Sequence, residues 1–194
     1  PQRRIVLAEG EDERVLRAAQ VVVDEGLARP ILVGRPAVVE QRIERYGLRI
    51  RPGSEFELVN PESDPRYREY WTEYHQLAER RGVSPQYAQI EMRRRHTLIG
   101  AMMVHRGEAD GMICGSFGAY AVHLQYIDYV IGRRPGAENF YAMNVLMLPK
   151  RTVFICDTYV NLDPTAEQLA EMAMLVAEAV RRFGAVPRAA LLSH

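Results

Sequence analysis

Three stretches carry residue types suited to chemistry. Cys114-Gly115-Ser116-Phe117-Gly118 follows an apolar run. A strand end followed by Gly-Ser and a helix start turns backbone N–H groups toward an anion. The same residues also suit a tight turn that needs glycine for its backbone angles, and both readings stand. Gly-x-Ser-x-Gly is absent, so this is no nucleophile elbow. Glu9-Gly10-Glu11-Asp12 lies where a dinucleotide-binding unit would carry Gly-x-Gly-x-x-Gly. Its carboxylates would repel a pyrophosphate, and Glu11, Asp12 and Glu13 read as complements to a helix dipole. Asn161 and Asp163 stand between a strand and a helix, where capping by itself would explain them.

The five histidines, His75, His96, His105, His123 and His194, form no metal-binding spacing. His123 and Asp128 follow the glycine turn and would face a cleft, although a lone histidine on an aromatic helix reads first as a hydrogen-bonded structural residue. Cys114 and Cys156 lack Cys-x-x-Cys spacing, which leaves a disulfide framework and a zinc site unsupported. Each lies in an apolar run and is expected as a reduced core residue. No catalytic residue and no metal ligand emerge from spacing.

The elements that would position these residues follow from periodicity. Arg4 to Ala8 is a strand, Glu11 to Glu25 a helix, Pro30 to Gly34 a strand, and Val38 to Tyr46 a helix. Leu48 to Ile50 and Phe56 to Val59 read as two short strands. Arg66 to Arg81 is a tyrosine-rich helix, expected to present a packing surface between domains or subunits. Ser84-Pro85 caps a helix to about Arg94, and another runs from His96 to Arg106. Asp110 to Cys114 is a strand, Tyr120 to Ile131 a helix. Gly132-Arg133-Arg134-Pro135-Gly136 is a candidate hinge. Apolar strands follow at Phe140 to Met147 and Thr152 to Cys156. A helix with Asp163 as cap carries the stripe Leu169, Met172, Val176, Val180 and Phe183. Ala189 to Leu192 reads as a last strand.

This order predicts an α/β fold: a parallel sheet covered by helices, in two lobes with a ligand cleft between them. The lobes would span 1–134 and 135–194, the second incomplete. The cleft would lie near residues 115–125 and 161–165 and suit a small anionic ligand.

Composition sets the outer bounds. The chain has 194 residues, 47% hydrophobic and 26% charged, with 25 basic and 25 acidic residues. That is a soluble globular composition, and zero net charge gives no case for nucleic acid or an anionic membrane as partner. No apolar run is long enough to span a bilayer. A start at Pro1 without Met suggests a domain cut from a longer chain, and reduced cysteines point to a cytoplasmic protein.

Several of these residues resemble a known family. Glu9 to Ala19 resembles the opening of phosphate acetyltransferases, Gly107 to Met112 their central strand, and Asn161 to Glu171 a segment of their second domain. Asp64 to Trp71, Met112 to Gly118 with Tyr126-Ile127-Asp128, and Met143-Asn144 with Leu146 to Pro149 resemble a subgroup: the acetyltransferase-like domain of bacterial NADP-dependent malic enzymes. The resemblance implies a domain that no longer transfers acetyl groups. It would instead assemble a dimer or higher oligomer and let acetyl-CoA or a related metabolite inhibit an N-terminal malic enzyme domain of the same chain. That absent half would hold NADP and Mg²⁺ or Mn²⁺ and decarboxylate malate oxidatively to pyruvate; this portion would hold no cofactor.

The departures from the family pattern agree. Transacetylases carry Thr-x-Asp-x-x-Arg-Pro after the glycine turn, whereas Tyr120, Val122, Gln125 and Tyr126 stand here. A second family arginine falls near Ala78, and Arg80 would replace it only with a shift of register. The family's Ser-Arg pair falls beyond His194. Phosphate transfer needs bidentate guanidinium contacts, and losing two arginines removes most of that stabilisation. The implied effector contacts are Gly115, Ser116, Gly118 and Gln125, with Asn144, Asn161 and Thr165 across from them. An active phosphate acetyltransferase and a dimerisation module that binds nothing are the alternatives.

Overall fold

In the computed structural model, which describes residues 2–192, the apolar segment Arg4–Leu7 forms β1 at the centre of a parallel sheet. The chain continues through α1 (Glu13–Asp24), β2 (Arg29–Val33), α2 (Pro36–Arg45) and β3 (Glu57–Val59). It then runs through α3 (Tyr67–Ala78), a 3₁₀ turn at Glu79–Arg81, α4 (Pro85–Arg94), α5 (His96–His105), β4 (Gly111–Ile113) and α6 (Tyr120–Val130). The four strands lie in the order β3-β2-β1-β4, all parallel. Each β-α-β passage therefore returns to the same sheet edge, and helices cover both faces.

Alternation along the strands separates two cores. Leu7, Leu32, Leu16, Val39, Ile50 and Phe56 pack beneath α1 and α2. Val6, Ile31, Val33 and Val59 pack against the helices of the other face, with Leu98, Met102, Tyr70 and Tyr74. α5 is the innermost helix, buried from Thr97 to Met103. A Cβ on Gly100 would lie 2.5 Å from Met112 Sδ and 3.1 Å from Val6 Cγ1, so only glycine lets α5 lie this close to the sheet.

Two expectations for this region are corrected. Leu48 to Ile50 is not a strand: the Arg49 N–H donates to Gln20 Oε1 at 2.7 Å, and Ile50 fills the core as coil. The tyrosine-rich helix does not reserve its aromatic face for another domain or subunit. Tyr70 and Tyr74 are each 1% exposed inside this unit's own core. The Asp64 to Trp71 motif has a structural role here. Asp64 takes Arg66 through two bonds of 2.9 Å, and Arg66 also reaches Glu108 at 2.9 Å.

The chain divides into two compact units at Gly132/Arg133. In the second, β5 (Met143–Leu148) and β6 (Arg151–Cys156) pair antiparallel, with Val145 opposite Phe154. α7 (Ala166–Arg182) follows, and Phe154 meets Phe183 edge-to-face at 5.4 Å. Of the expected α7 stripe, Met172 and Val180 are buried, whereas Phe183 is 64% exposed. Ala189 to Leu192 is not a strand but coil: it joins no ladder among the described residues. His194 lies outside them.

Candidate functional site

The sheet order places its topological switch point between β1 and β4, because β2 and β3 were laid down on the opposite side of β1. Ligands of open α/β sheets bind outside the carboxyl ends of two such strands. At the end of β1 stands Glu9, 4% exposed; at the end of β4 stands Cys114-Gly115. The two ends touch: the Gly115 N–H donates to Glu9 Oε1 at 2.9 Å.

The rest of the glycine turn is tied down one group at a time. Gly115 and Gly118 have φ of +99° and +89°, which a side chain would strain. The Ser116 carbonyl accepts from Arg14 Nη2 at 2.8 Å, and Arg14 is itself held by Asp12 through bonds of 3.0 and 2.8 Å. The Phe117 carbonyl accepts from His123 Nε2 at 2.9 Å, while His123 Nδ1 meets the buried Thr97 hydroxyl at 2.7 Å. His123 is thus a strut between α5, α6 and the turn. Ser116 Oγ is buried and bonds to none of the described residues. Ile113, Phe117 and Tyr120 are 63%, 65% and 47% exposed around it.

Charge at this edge is mostly compensated. Asp12 caps α1 by accepting the Arg14 N–H, as a helix-dipole complement should. Glu11 instead takes the Arg35 guanidinium at 2.8 Å, and that hydrogen bond holds its carboxyl down to about 2 despite burial. Burial pushes the His96 pKa down, although the carboxylates of Glu11 and Glu9 pull the other way. Burial, followed by the Glu9 charge, pushes the Cys114 thiol up. Cys114 and Cys156 are free but half-buried, not the core residues expected, because each sits at a strand end rather than inside a layer.

α6 carries no guanidinium at its first turns. Gln125 is exposed and donates to the Tyr129 hydroxyl at 3.0 Å, and Tyr129 lies beneath Arg81, which pairs with Asp128 at 2.5 Å. Asp128 is therefore a structural ion-pair partner. Tyr126 donates to the buried Glu91, which also accepts from Arg95 at 3.1 Å. Ala78 is 0% exposed, so no longer side chain fits there, and Arg80 is exposed on the 3₁₀ turn.

The second unit places Asn144, Asn161 and Thr165 in different settings. Asn144 is exposed on β5. Asn161 donates to Asp157 Oδ2 at 2.6 Å and to the Phe140 carbonyl at 2.8 Å. Asp157 organises that loop, accepting N–H groups of Ala142, Val160 and Asn161 at 3.0, 3.2 and 2.8 Å. Burial alone would raise its pKa, but these bonds hold it below the usual range. Asp163 is not the α7 cap. Thr165 fills that position in a capping box, accepting the Gln168 N–H at 3.3 Å while Gln168 Oε1 takes the Thr165 N–H at 2.9 Å. Thr165-x-x-Gln168 is itself a capping-box sequence, placed two residues after Asp163.

Among the described residues, no group of three His, Cys, Asp or Glu side chains is arranged to hold a metal ion. No helix among them is long and apolar enough to cross a membrane. Sequence reasoning missed Glu9 as a site residue. The Glu-Gly pair at a strand end was its only signal, and nothing local reveals a contact 106 residues away.

A family model for phosphate acetyl/butaryl transferase matches residues 1–194. The chain belongs to the phosphate acetyl/butaryl transferase family. Within this family it is 56% identical to the NADP-dependent malic enzyme of Salmonella typhimurium over 192 residues, 99% of this chain and 25% of that protein. The NAD-dependent malic enzyme of Rhizobium meliloti is 51% identical over 193 residues, again 25% of its length. The chain thus spans about a quarter of these malic enzymes. A phosphotransacetylase from Streptococcus pyogenes superimposes with a TM-score of 0.88 at 28% identity, covering 99% of this chain and 57% of that one. The four-stranded parallel sheet flanked by helices is therefore part of this family's transferase fold.

Proposed function

We propose that this chain is the regulatory and assembly portion of a bacterial NADP-dependent malic enzyme, with acetyl-CoA as effector and without transacetylase turnover. The observation that carries the reading is the chemistry of residues 120–126. Gln125 spends its amide on Tyr129 and Tyr126 spends its hydroxyl on Glu91, so no guanidinium there meets a transferring phosphoryl group. The identity to malic enzymes supports the parent. Oxidative decarboxylation of malate, with its nicotinamide and Mg²⁺ or Mn²⁺ sites, then belongs to the remaining three-quarters of the relatives' length. The residues here do not fit those groups, since carboxylates replace the glycine fingerprint and no metal cluster forms among the described residues.

In this reading the chain forms two lobes. Acetyl-CoA lies against Gly115, Ser116, Gly118 and Gln125 of the first lobe. Regulation arises from unequal affinity of the effector for two arrangements of lobes or subunits in a cytoplasmic oligomer. Membership of a transferase family favours the alternative, a working phosphate acetyltransferase. One experiment separates them: titrate acetyl-CoA, CoA and acetyl phosphate into the chain and assay acetyl-CoA formation from acetyl phosphate. Saturable acetyl-CoA binding without turnover is expected. Acetyl-phosphate-dependent turnover would overturn the reading.

A further inference from the structure

Gln125 stands where the resemblance to transacetylases calls for an arginine. An arginine offers hydrogen-bond donors only, whereas a glutamine also offers an acceptor. The structure fixes how that amide is turned. Gln125 is exposed on α6, and its Nε2 donates to the Tyr129 hydroxyl one turn later at 3.0 Å. Its Oε1 bonds to none of the described residues. An exposed glutamine left to itself samples several rotamers, and this bond selects among them. Tyr129 is fixed in turn. The Arg81 guanidinium lies over its ring, with Cζ 4.5 Å from the centroid, and Arg81 Nη1 donates to Asp128 Oδ2 at 2.5 Å. Arg81 ends the 3₁₀ turn Glu79–Arg81, so the segment after α3 reaches across to α6. The planar guanidinium suits both tasks, stacking on the ring while its edge pairs with the carboxylate.

We propose that Tyr129 and Arg81 are positioning residues for Gln125, and that position 125 thereby recognises an N–H donor of a ligand rather than a phosphoryl group. With Nε2 committed to Tyr129, the free Oε1 is an acceptor without net charge. It suits an amide N–H or an amino group, and it turns a partial negative charge toward any phosphate oxygen. The recognition half rests on the effector reading above, since acetyl-CoA carries amide N–H groups in its pantetheine arm and an amino group on its adenine. The positioning half does not, because it concerns bonds within the chain itself. Arg81, Gln125 and Tyr129 all lie outside the segments 9–19, 107–112 and 161–171 that resemble working transferases.

A double-mutant cycle in the full chain tests the positioning, with acetyl-CoA as titrant and calorimetry as readout. Q125A and Y129F should each weaken acetyl-CoA binding about two- to tenfold, the value of one uncharged hydrogen bond. Y129F keeps the ring beneath Arg81 and removes only the hydroxyl. In the Q125A background it should therefore add nothing beyond about twofold. Arg81→Lys keeps a charge beside Asp128 but loses the planar stack, and should act in the same direction by less. Q125R offers donors only, and should weaken acetyl-CoA at least as much as Q125A. Equal losses from Y129F in both backgrounds, as from a merely structural residue, would overturn the positioning. Binding as tight in Q125R as in the wild type, or tighter, would overturn the recognition of an N–H donor. The NMR shifts of the Gln125 side-chain amide, recorded without titrant, separate these outcomes from failure of the effector reading. They should move in both Y129F and R81K. If they move while the wild type binds no acetyl-CoA, the effector reading and the N–H recognition fall and the positioning stands. If they stay in either variant, the positioning falls whatever binds.

Discussion

The two units hold their shapes by different means. Residues 2–132 bury large side chains on both faces of a parallel sheet, from Leu16 and Phe56 on one side to Tyr70, Leu98 and Met102 on the other. Residues 133–192 lay one helix on a two-stranded hairpin, where only Met172 and Val180 are buried and Leu146, Met147, Leu148 and Ile155 are exposed. A two-stranded sheet is marginal in water. The second unit instead relies on polar side-chain contacts. Asp157 gathers its loop, Thr165 and Gln168 cap α7, and Glu171 accepts from the Glu138 N–H at 2.5 Å and the Tyr141 hydroxyl at 2.5 Å. Sheet layers give the first unit cooperativity between distant residues; side-chain hydrogen bonds, two of them spanning 30 and 33 residues, give the second its shape with little buried core.

The sharpest test of that contrast is truncation of a buried methionine in each unit. Met102→Ala should cost about 2–5 kcal/mol in urea unfolding, as for a fully enclosed side chain. Met172→Ala should cost less than Met102→Ala, because Met172 is not fully enclosed and packs on a two-stranded hairpin rather than between sheet and helices. Equal losses would mean that the second unit has a true core. Asp157→Ala should follow at roughly 1–3 kcal/mol, since four backbone N–H groups lose their acceptor. Its effect should appear as faster hydrogen exchange confined to residues 140–161; loss of protection in β1 would show that the units unfold together.

Thr165→Ala should cost about 1 kcal/mol and fray only the first turn of α7, read by exchange at Gln168 and Leu169. The smallest effect concerns pH in the first unit. Glu11 has a carboxyl lowered to about 2, mainly by its hydrogen bonds to Arg35. A depressed carboxyl contributes stability above its unfolded value, near 4.5, which is lost as pH falls toward 2. The first unit's melting temperature should therefore fall across that window, and Glu11→Gln should flatten the slope. An unchanged slope would show that Arg35 does not control Glu11.

Much of the fold was legible because its signals are local. The periodicity of α1, the Ser84-Pro85 cap and the apolar run of β1 each depend on neighbours within a turn or a strand. Where the reading failed, tertiary contacts prevailed. Ile50 was apolar enough for a strand, but the Arg49 N–H found Gln20 instead. The aromatic spacing of α3 marked a buried face, yet nothing local said whose surface would bury it. The glycine turn was visible as a turn, and its family resemblance as a resemblance.

The sequence by itself determined the element types, the helix caps and the absence of arginines at 120–126, since each is a property of residues close along the chain. Only the tertiary structure decided what the glycine turn meets. Parallel crossovers bring the end of β1 against the end of β4, and that approach turns Glu9 from one acidic residue among several into the partner of the Gly115 amide. A charge acts through space, and its neighbours are set by strand order.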